Sequence, residues 1–460
     1  MQGGLALQGD KKEHIYFMGI GGIGMSGIAE ILLDFGYRIS GSDIKVSNVT
    51  ERLQKKGASI YIGQRAENIT DDIDYVVRST AIRDTNEEYM RVKELGLPVL
   101  HRSQMLAKLM EEKKAICVAG AHGKTTTSSM IALAMELAQK EPTIVVGGEI
   151  AQIGSNAKSG NGTYLVAEAD ESDGSFLNLH PWMTVITNVE EDHLDHYKDL
   201  DAIRDAFVSF VKMPGEDGVA VLNYDCAETR QLAQYVTGKV ISYGMAEDAN
   251  IRGVNVRQEQ SENLVDVYAD DHLLGTLRLR VPGLHNISNA LATVAAGLAI
   301  GMTFEELAAG LKEFGGARRR FQLLGVVQNI QIIDDYAHHP TEVAATIGAA
   351  KGVHSGRVVA VFQPHRYSRT KFLAEKFAQA FDLADEVVLT DVYSAGEDLS
   401  EGAQSDIIAQ HMTRPSHFVE RERLNAFLQE FVQPGDMVLM MGAGNIWQNS
   451  IQLVEDLKQK

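Results

Sequence analysis

Short apolar runs rich in β-branched residues recur along the chain at 15–18, 75–78, 115–119, 185–187, 358–362, 387–389 and 437–441, with helix-like stretches between them. Strands that alternate with helices predict parallel, doubly wound sheets, so the fold class is α/β. Three of these strands run straight into glycine clusters, at 19–24, 120–123 and 442–444. Ligands of such sheets bind beyond the carboxyl ends of strands, and the pattern therefore reads as three α/β units in series. The charged stretch 111–114 and the G-G-A-R-R-R stretch at 315–320 mark seams. They place an N-terminal domain at 1–112, a central domain at 113–321 and a C-terminal domain at 322–460. Between 250 and 282 the pattern changes to Val and Leu alternating with polar residues, which predicts antiparallel strands inserted in the middle domain.

Composition narrows the function classes. A chain of 460 residues with 45% hydrophobic and 23% charged residues is an ordinary globular protein, too long for a single core. The net charge of −19 gives no electrostatic reason to approach nucleic acid. Cys117 and Cys226 have no CxxC partner, so neither a disulfide framework nor a zinc knuckle is readable. Residues 1–12 lack the basic and apolar pattern of a signal peptide. The most apolar long stretch, 290–302, falls short of the roughly 20 residues a membrane helix needs. The expectation is a cytoplasmic protein with no nucleic-acid or membrane partner.

The candidate chemistry lies in the glycine loops. Gly19, Gly21 and Gly24 satisfy G-x-G-x-x-G after a strand, with Asp43 following a second short strand. The motif suits NAD, yet glycines and a helix N-terminus serve any nucleotide diphosphate, and a tight structural turn is the third reading. The second loop, Gly120-Ala121-His122-Gly123-Lys124-Thr125-Thr126, is a phosphate cradle, although Val118 stands where the first glycine of the full P-loop pattern belongs. Backbone N–H groups would hold phosphates, Lys124 would neutralise charge and Thr125 would ligate Mg²⁺. Glu168, Asp170, Glu171 and Asp173 offer further oxygen ligands, a solvated acidic loop being the alternative. His193, in a crowd of His and Asp residues after the strand at 185–187, reads as a ligand of a second Mg²⁺ rather than of zinc, because a hydrolytic zinc centre has no need of a P-loop.

These residues carry a resemblance that spans essentially the whole chain. G-A-H-G-K-T-T-T at 120–127, E-A-D-E-S-D at 168–173, T-N-V-E-E-D-H at 187–193, H-N-I-S-N-A at 285–290, D-D-Y-A-H-H-P-T-E at 334–342 and Q-P-H-R-Y-S-R at 363–369 resemble the Mur ligases of bacterial peptidoglycan synthesis. The resemblance implies three domains: a Rossmann-like UDP domain, a P-loop ATPase-like central domain and a Rossmann-like amino-acid domain. M-G-I-G-G-I-G-M-S-G at 18–27 and the 363–369 segment point to the branch that joins L-alanine to the lactyl carboxylate of UDP-N-acetylmuramate using ATP and Mg²⁺. The branch that attaches a murein tripeptide during recycling is the alternative. By the same resemblance the first loop takes UDP rather than NAD, with Gly19, Gly21, Gly22, Gly24, Asp43, Ser79 and Arg102 as contacts. Lys124 falls on the phosphates, Thr125, Glu168 and His193 on metal, Asn289 on adenine and Arg319 on the phosphates. Asp335 and His339 would lie near ATP, while Tyr336, His365, Arg366 and Arg369 would face substrate, His365 positioning or deprotonating the alanine amine. The enzyme would work as a monomer or homodimer. One departure is visible. Several Mur ligases carry a carbamylated lysine about 15 residues after the histidine matching His193, and this chain has Phe207, Val208, Ser209 and Phe210 there, with Lys212 out of register.

Overall fold

The computed structural model describes residues 13–193, 196–259, 262–398 and 404–460. The chain forms two compact units. One gathers Met1–Glu190, Asp201–Ala246 and Ala292–Gly310, and the other Glu191–Leu200, Glu247–Leu291 and Leu311–Lys460.

The first unit holds two sheets. β1 (His14–Met18), β2 (Arg38–Asp43), β3 (Ser59–Ile62), β4 (Tyr75–Arg78) and β5 (Val99–His101) pair in the order β3-β2-β1-β4-β5. All four pairings are parallel, as the strand–helix alternation requires. Every residue of β1 is buried, because a parallel strand covered on both faces must be apolar on both. Met18 is level with both Ser42 and Arg78, so the loops after β1, β2 and β4 open at one edge, where the strand order reverses. Helix α1 (Ile23–Asp34) follows β1 and is buried from Met25 to Leu32. Its Gly27 approaches the second sheet so closely that a Cβ there would lie 3.1 Å from that of Ala157. α2 (Asn48–Lys55), α3 (Glu87–Leu95) and α4 (Arg102–Met110) complete this layer.

The second sheet of this unit contains β6 (Lys114–Ala119), β7 (Thr143–Ile150), β8 (Ser155–Lys158), β9 (Tyr164–Glu168), β10 (Met183–Ile186), β11 (Val219–Asn223) and β12 (Lys239–Gly244). They run β12-β11-β10-β6-β9-β7-β8, parallel except for β7 with β8. β6 thus lies between β10 and β9, and it leads into α5 (Lys124–Leu137), which is buried from Thr125 to Met135. α6 (Leu200–Lys212) turns Phe207 and Phe210 into the core, with ring centroids 5.4 and 4.7 Å from that of Phe176. That packing accounts for the two aromatic residues at these positions. Lys212 lies instead over the Tyr235 ring, 5.4 Å from its centroid.

In the second unit β13 (Ile251–Glu259), β14 (Glu262–Ala269) and β15 (His272–Leu279) form the expected antiparallel meander. A separate sheet contains β16 (Gln322–Val327), β17 (Ile330–Asp335), β18 (Val358–Phe362), β19 (Glu386–Leu389), β20 (His417–Phe418) and β21 (Met437–Met441), in the order β16-β17-β21-β18-β19-β20. All its pairings are parallel except β16 with β17. Alternate residues of β18 enter two different cores. Val358, Ala360 and Phe362 pack with Val343 and Ile347 of the helix Pro340–Val353, and Val359 and Val361 with Leu424, Leu428, Leu453 and Leu457 on the opposite face. No helix among the described residues is long and apolar enough to cross a membrane.

Candidate active site

The first glycine loop is shaped by its own backbone and one carboxylate. Gly19 adopts a φ of +82°, and its N–H and that of Ile20 donate to the Ser42 carbonyl, each at 2.9 Å. Asp43 Oδ2 accepts from Gly21 N at 2.9 Å, and a Cβ on Gly21 would stand 2.7 Å from that oxygen. Ser79 follows β4, with its Cβ 3.8 Å from where a side chain on Gly19 would begin. Gly22 caps α1 without a side-chain hydrogen bond, so first-turn N–H groups face the loop mouth where an anion is favoured. The Arg102 guanidinium lies over Gly24, where a Cβ would come within 2.6 Å of Nη1. Gly19, Gly21, Gly22, Gly24, Asp43, Ser79 and Arg102 therefore converge on one sheet edge.

The second loop is braced much more tightly. Gly120 has a φ of +136°, and a Cβ on it would lie 2.2 Å from Thr187 Oγ1. Gly123, at φ +82°, caps α5. Between them, His122 N donates to Asn188 Oδ1 at 2.8 Å. The His122 carbonyl accepts from Asn188 Nδ2 at 3.0 Å and from Thr187 Oγ1 at 2.5 Å. Asn223 Nδ2 in turn donates to the Thr187 carbonyl at 2.7 Å. Sequence reasoning missed Thr187, Asn188 and Asn223 as loop supports. The available signal was polar residues ending or following the apolar runs M-T-V-I and V-A-V-L-N.

Lys124 Nζ curls over this loop and donates to the Gly120 and Ala121 carbonyls at 2.6 and 3.3 Å and to Glu171 Oε1 at 2.6 Å. Burial opposes its charge, but Glu171, Asp170 and Glu168 outweigh that and push it up to about 12. Burial also drives the Glu171 carboxyl upward against the pull of Lys124, so burial favours the neutral acid while its partner lysine favours the charged form. The three surrounding carboxylates make the charged lysine the firmer of the two. Thr125 and Thr126 are buried in the first turn of α5. Glu168 ends β9 beside Val118 of β6, and its Oε2 accepts from Gly147 N at 2.9 Å. A Cβ on Gly147 would stand 2.3 Å from that oxygen, so the carboxylate needs glycine opposite it. The Thr125 hydroxyl and the Glu168 carboxylate are hard oxygen donors of the kind Mg²⁺ prefers, and the residues present fit that ion.

The second unit carries the remaining candidates. Arg369 Nη2 and Nε donate to Asp192 Oδ1 at 2.8 and 3.2 Å, and both side chains are buried. Burial opposes ionisation of Asp192, but Arg369 holds its carboxyl far below the usual range. Arg369, expected to face substrate, thus gives one edge to a carboxylate 177 positions away that sequence reasoning did not pair with it. His365 Nδ1 lies 3.4 Å from Arg369 Nη1, and a guanidinium only donates, so the imidazole proton belongs on Nε2. Burial, with His338, Arg369 and Arg366, pushes His365 down to about 3. A neutral Nε2–H ring orients a partner and is a poor proton acceptor, which favours positioning over the base role.

Arg319 Nε donates to Asp334 Oδ2 at 3.1 Å and Nη2 to the Gly442 carbonyl at 2.6 Å, which ties the third glycine cluster to β17. Asp335 accepts from Phe321 N at 2.6 Å and Ala337 N at 2.7 Å, and burial raises its carboxyl to about 6 against the pull of Arg320. The Tyr336 ring lies under the guanidiniums of Arg319 and Arg320, 4.9 and 5.2 Å from its centroid. His339 caps the helix Pro340–Val353 through Nδ1. Asn289, on the helix Leu284–Ala299, donates to Asn286 Oδ1 at 3.2 Å. His193, Arg319, Phe321 and Arg366 hold left-handed φ values of 53°, 60°, 46° and 69°. Each such residue costs on the order of 1–3 kcal/mol, and such strain gathers at ligand sites.

Comparison with known proteins agrees with this layout. Residues 14–114 match the model "Mur ligase family, catalytic domain", residues 118–297 "Mur ligase middle domain" and residues 319–444 "Mur ligase, glutamate ligase domain". A UDP-N-acetylmuramate–L-alanine ligase of Pelotomaculum thermopropionicum is 49% identical over 98% of this chain and 99% of its own length. One of Geotalea uraniireducens is 46% identical over 97% and 99%. The crystal structure of a UDP-N-acetylmuramate–alanine ligase of Thermotoga maritima superposes with a TM-score of 0.82 at 32% identity, over 97% of this chain and 99% of that one. With all three family models matched in order and relatives aligned along nearly their full length, the chain belongs to the Mur ligase family.

Proposed function

We propose that this protein joins L-alanine to the lactyl carboxylate of UDP-N-acetylmuramate with ATP, the first amino-acid addition in peptidoglycan precursor synthesis. The observation that carries this reading is the full-length similarity, at 49% identity, to a relative named for that activity. The Gly120–Thr125 cradle supplies the means for its phosphoryl chemistry. In this reading the domains fall at 1–112, 113–321 and 322–460, and the loop at 19–24 holds the UDP diphosphate.

The lactyl carboxylate attacks the γ-phosphorus of ATP, giving an acyl phosphate and ADP. The alanine amine then attacks the acyl carbon, and the tetrahedral intermediate collapses with release of phosphate. Lys124 offsets charge on the transferring phosphoryl group, while the loop that Asn188 braces would present its remaining N–H groups to the phosphates. Mg²⁺ would sit on Thr125 and Glu168, with His193 for a second ion, and would neutralise the phosphate oxygens. Asn289 would meet the adenine, and Arg319, Asp335 and His339 would face ATP. Arg366 would take the alanine carboxylate, because a planar guanidinium matches it with two charge-assisted bonds. Arg369, held by Asp192, would fix His365, whose Nε2–H orients the substrate, and Tyr336 would line the same pocket. The test is ADP release from purified protein. It is expected to require both UDP-N-acetylmuramate and L-alanine for sustained turnover, and a rate indifferent to either substrate would overturn the reading.

A further inference from the structure

Arg102 is the first residue of α4, where the helix dipole disfavours a cation, so helix stability does not account for it. Its guanidinium spans two loops. Nη1 lies over Gly24 at the start of α1, and Nη2 lies 3.4 Å from Asp170 Oδ2 in the acidic run. Asp170 uses its other oxygen, Oδ1, to accept from Ser172 N at 3.1 Å, so Arg102 holds the oxygen that remains. The charge of Lys124 acts on the same carboxylate. A chain of alternating charge therefore runs from the first glycine loop through Arg102 and Asp170 to the lysine of the phosphate cradle. Asp173, the neighbouring acid, takes a different partner and accepts from Thr80 Oγ1 at 2.9 Å.

We propose that Arg102 is a shared positioning residue that couples the two nucleotide loops: Asp170 holds its guanidinium until a nucleoside diphosphate reaches the start of α1, and the guanidinium then turns onto the diphosphate. The proposal rests on the reading that the first loop binds UDP. Competition between Asp170 and the diphosphate for one cation weakens binding of the free nucleotide, and release of Asp170 leaves its charge to Lys124 without the second cation. Occupancy of the first loop then favours the cation side of the second, and by linkage the converse holds.

Calorimetric titration of the full chain with UDP, in the absence of metal, tests the coupling. Asp170→Asn is expected to tighten UDP by about 5-fold or more, the lower end of ordinary coupling factors. Arg102→Ala should weaken UDP, and in the Arg102→Ala background Asp170→Asn should no longer tighten it. Asp173→Asn removes an equal charge from the same run and should change the affinity far less. UDP affinity unchanged by Asp170→Asn, or tightened equally by Asp173→Asn, overturns the proposal while leaving the first-loop assignment standing. Failure of the wild-type chain to bind UDP at all overturns that assignment, and the coupling falls with it.

Discussion

The two glycine loops of the first unit follow parallel strands and open helices in the same way, yet they are braced differently. At 19–24 the backbone rests on Ser42 and Asp43, and the cation above it, Arg102, comes from another helix. At 120–125 the cation is the loop's own Lys124, surrounded by carboxylates, and Thr187 and Asn188 hold the polar groups of His122. A binding loop needs only to present N–H groups to an anion. A loop that stabilises a phosphoryl group in transit must hold its donors still while charge moves, because preorganised donors spend no energy reorganising at the transition state. On the proposed function, the extra bracing falls where the phosphoryl transfer would take place.

The contrast is broken most severely at Lys124. Lys124→Ala is expected to lower kcat by about 10³-fold or more in a chain that still folds, since the lost charge clamp acts on the transferring group, and to lower the thermal midpoint, since Glu171 loses its buried partner. Retention of a tenth of the turnover would show that the second loop merely binds. Asn188→Ala should cost about 10- to 100-fold, seen mainly in kcat, because an ångström of misplacement is enough for such a loss. An effect confined to KM for ATP would mean that the bracing serves affinity alone. The mildest change falls on the first loop. Asp43→Ala should raise KM for UDP-N-acetylmuramate by about 10-fold, on the order of one charge-assisted hydrogen bond, and leave kcat and KM for ATP nearly unchanged. Equal losses in all three parameters would indicate a folding defect instead.

Much of this was legible in the sequence because it is local. Buried parallel strands read as continuous apolar runs, and the strands at 358–362 and 437–441 appear in the structure at those bounds. The meander was announced by its alternation. The Lys124 loop stood out because a lysine opening a helix has no structural excuse. What stayed hidden are partnerships set by the fold. Asn188 reaches back 66 positions to His122, Asp192 reaches 177 positions to Arg369, and Arg102 reaches 68 positions to Asp170. No spacing rule in a single chain reports which strand ends become neighbours. The proton placement on His365 was equally beyond reach, since it follows from one guanidinium edge and from burial.

The account stands or falls on whether the second loop transfers a phosphoryl group to the lactyl carboxylate. UDP-N-acetylmuramate labelled with ¹⁸O in that carboxylate, turned over with ATP and L-alanine, decides it by mass spectrometry of the released phosphate. The oxygen that attacks the γ-phosphorus stays on phosphorus when the amine displaces it from carbon, so the account predicts one labelled oxygen in each phosphate formed. Product formed with unlabelled phosphate would contradict it.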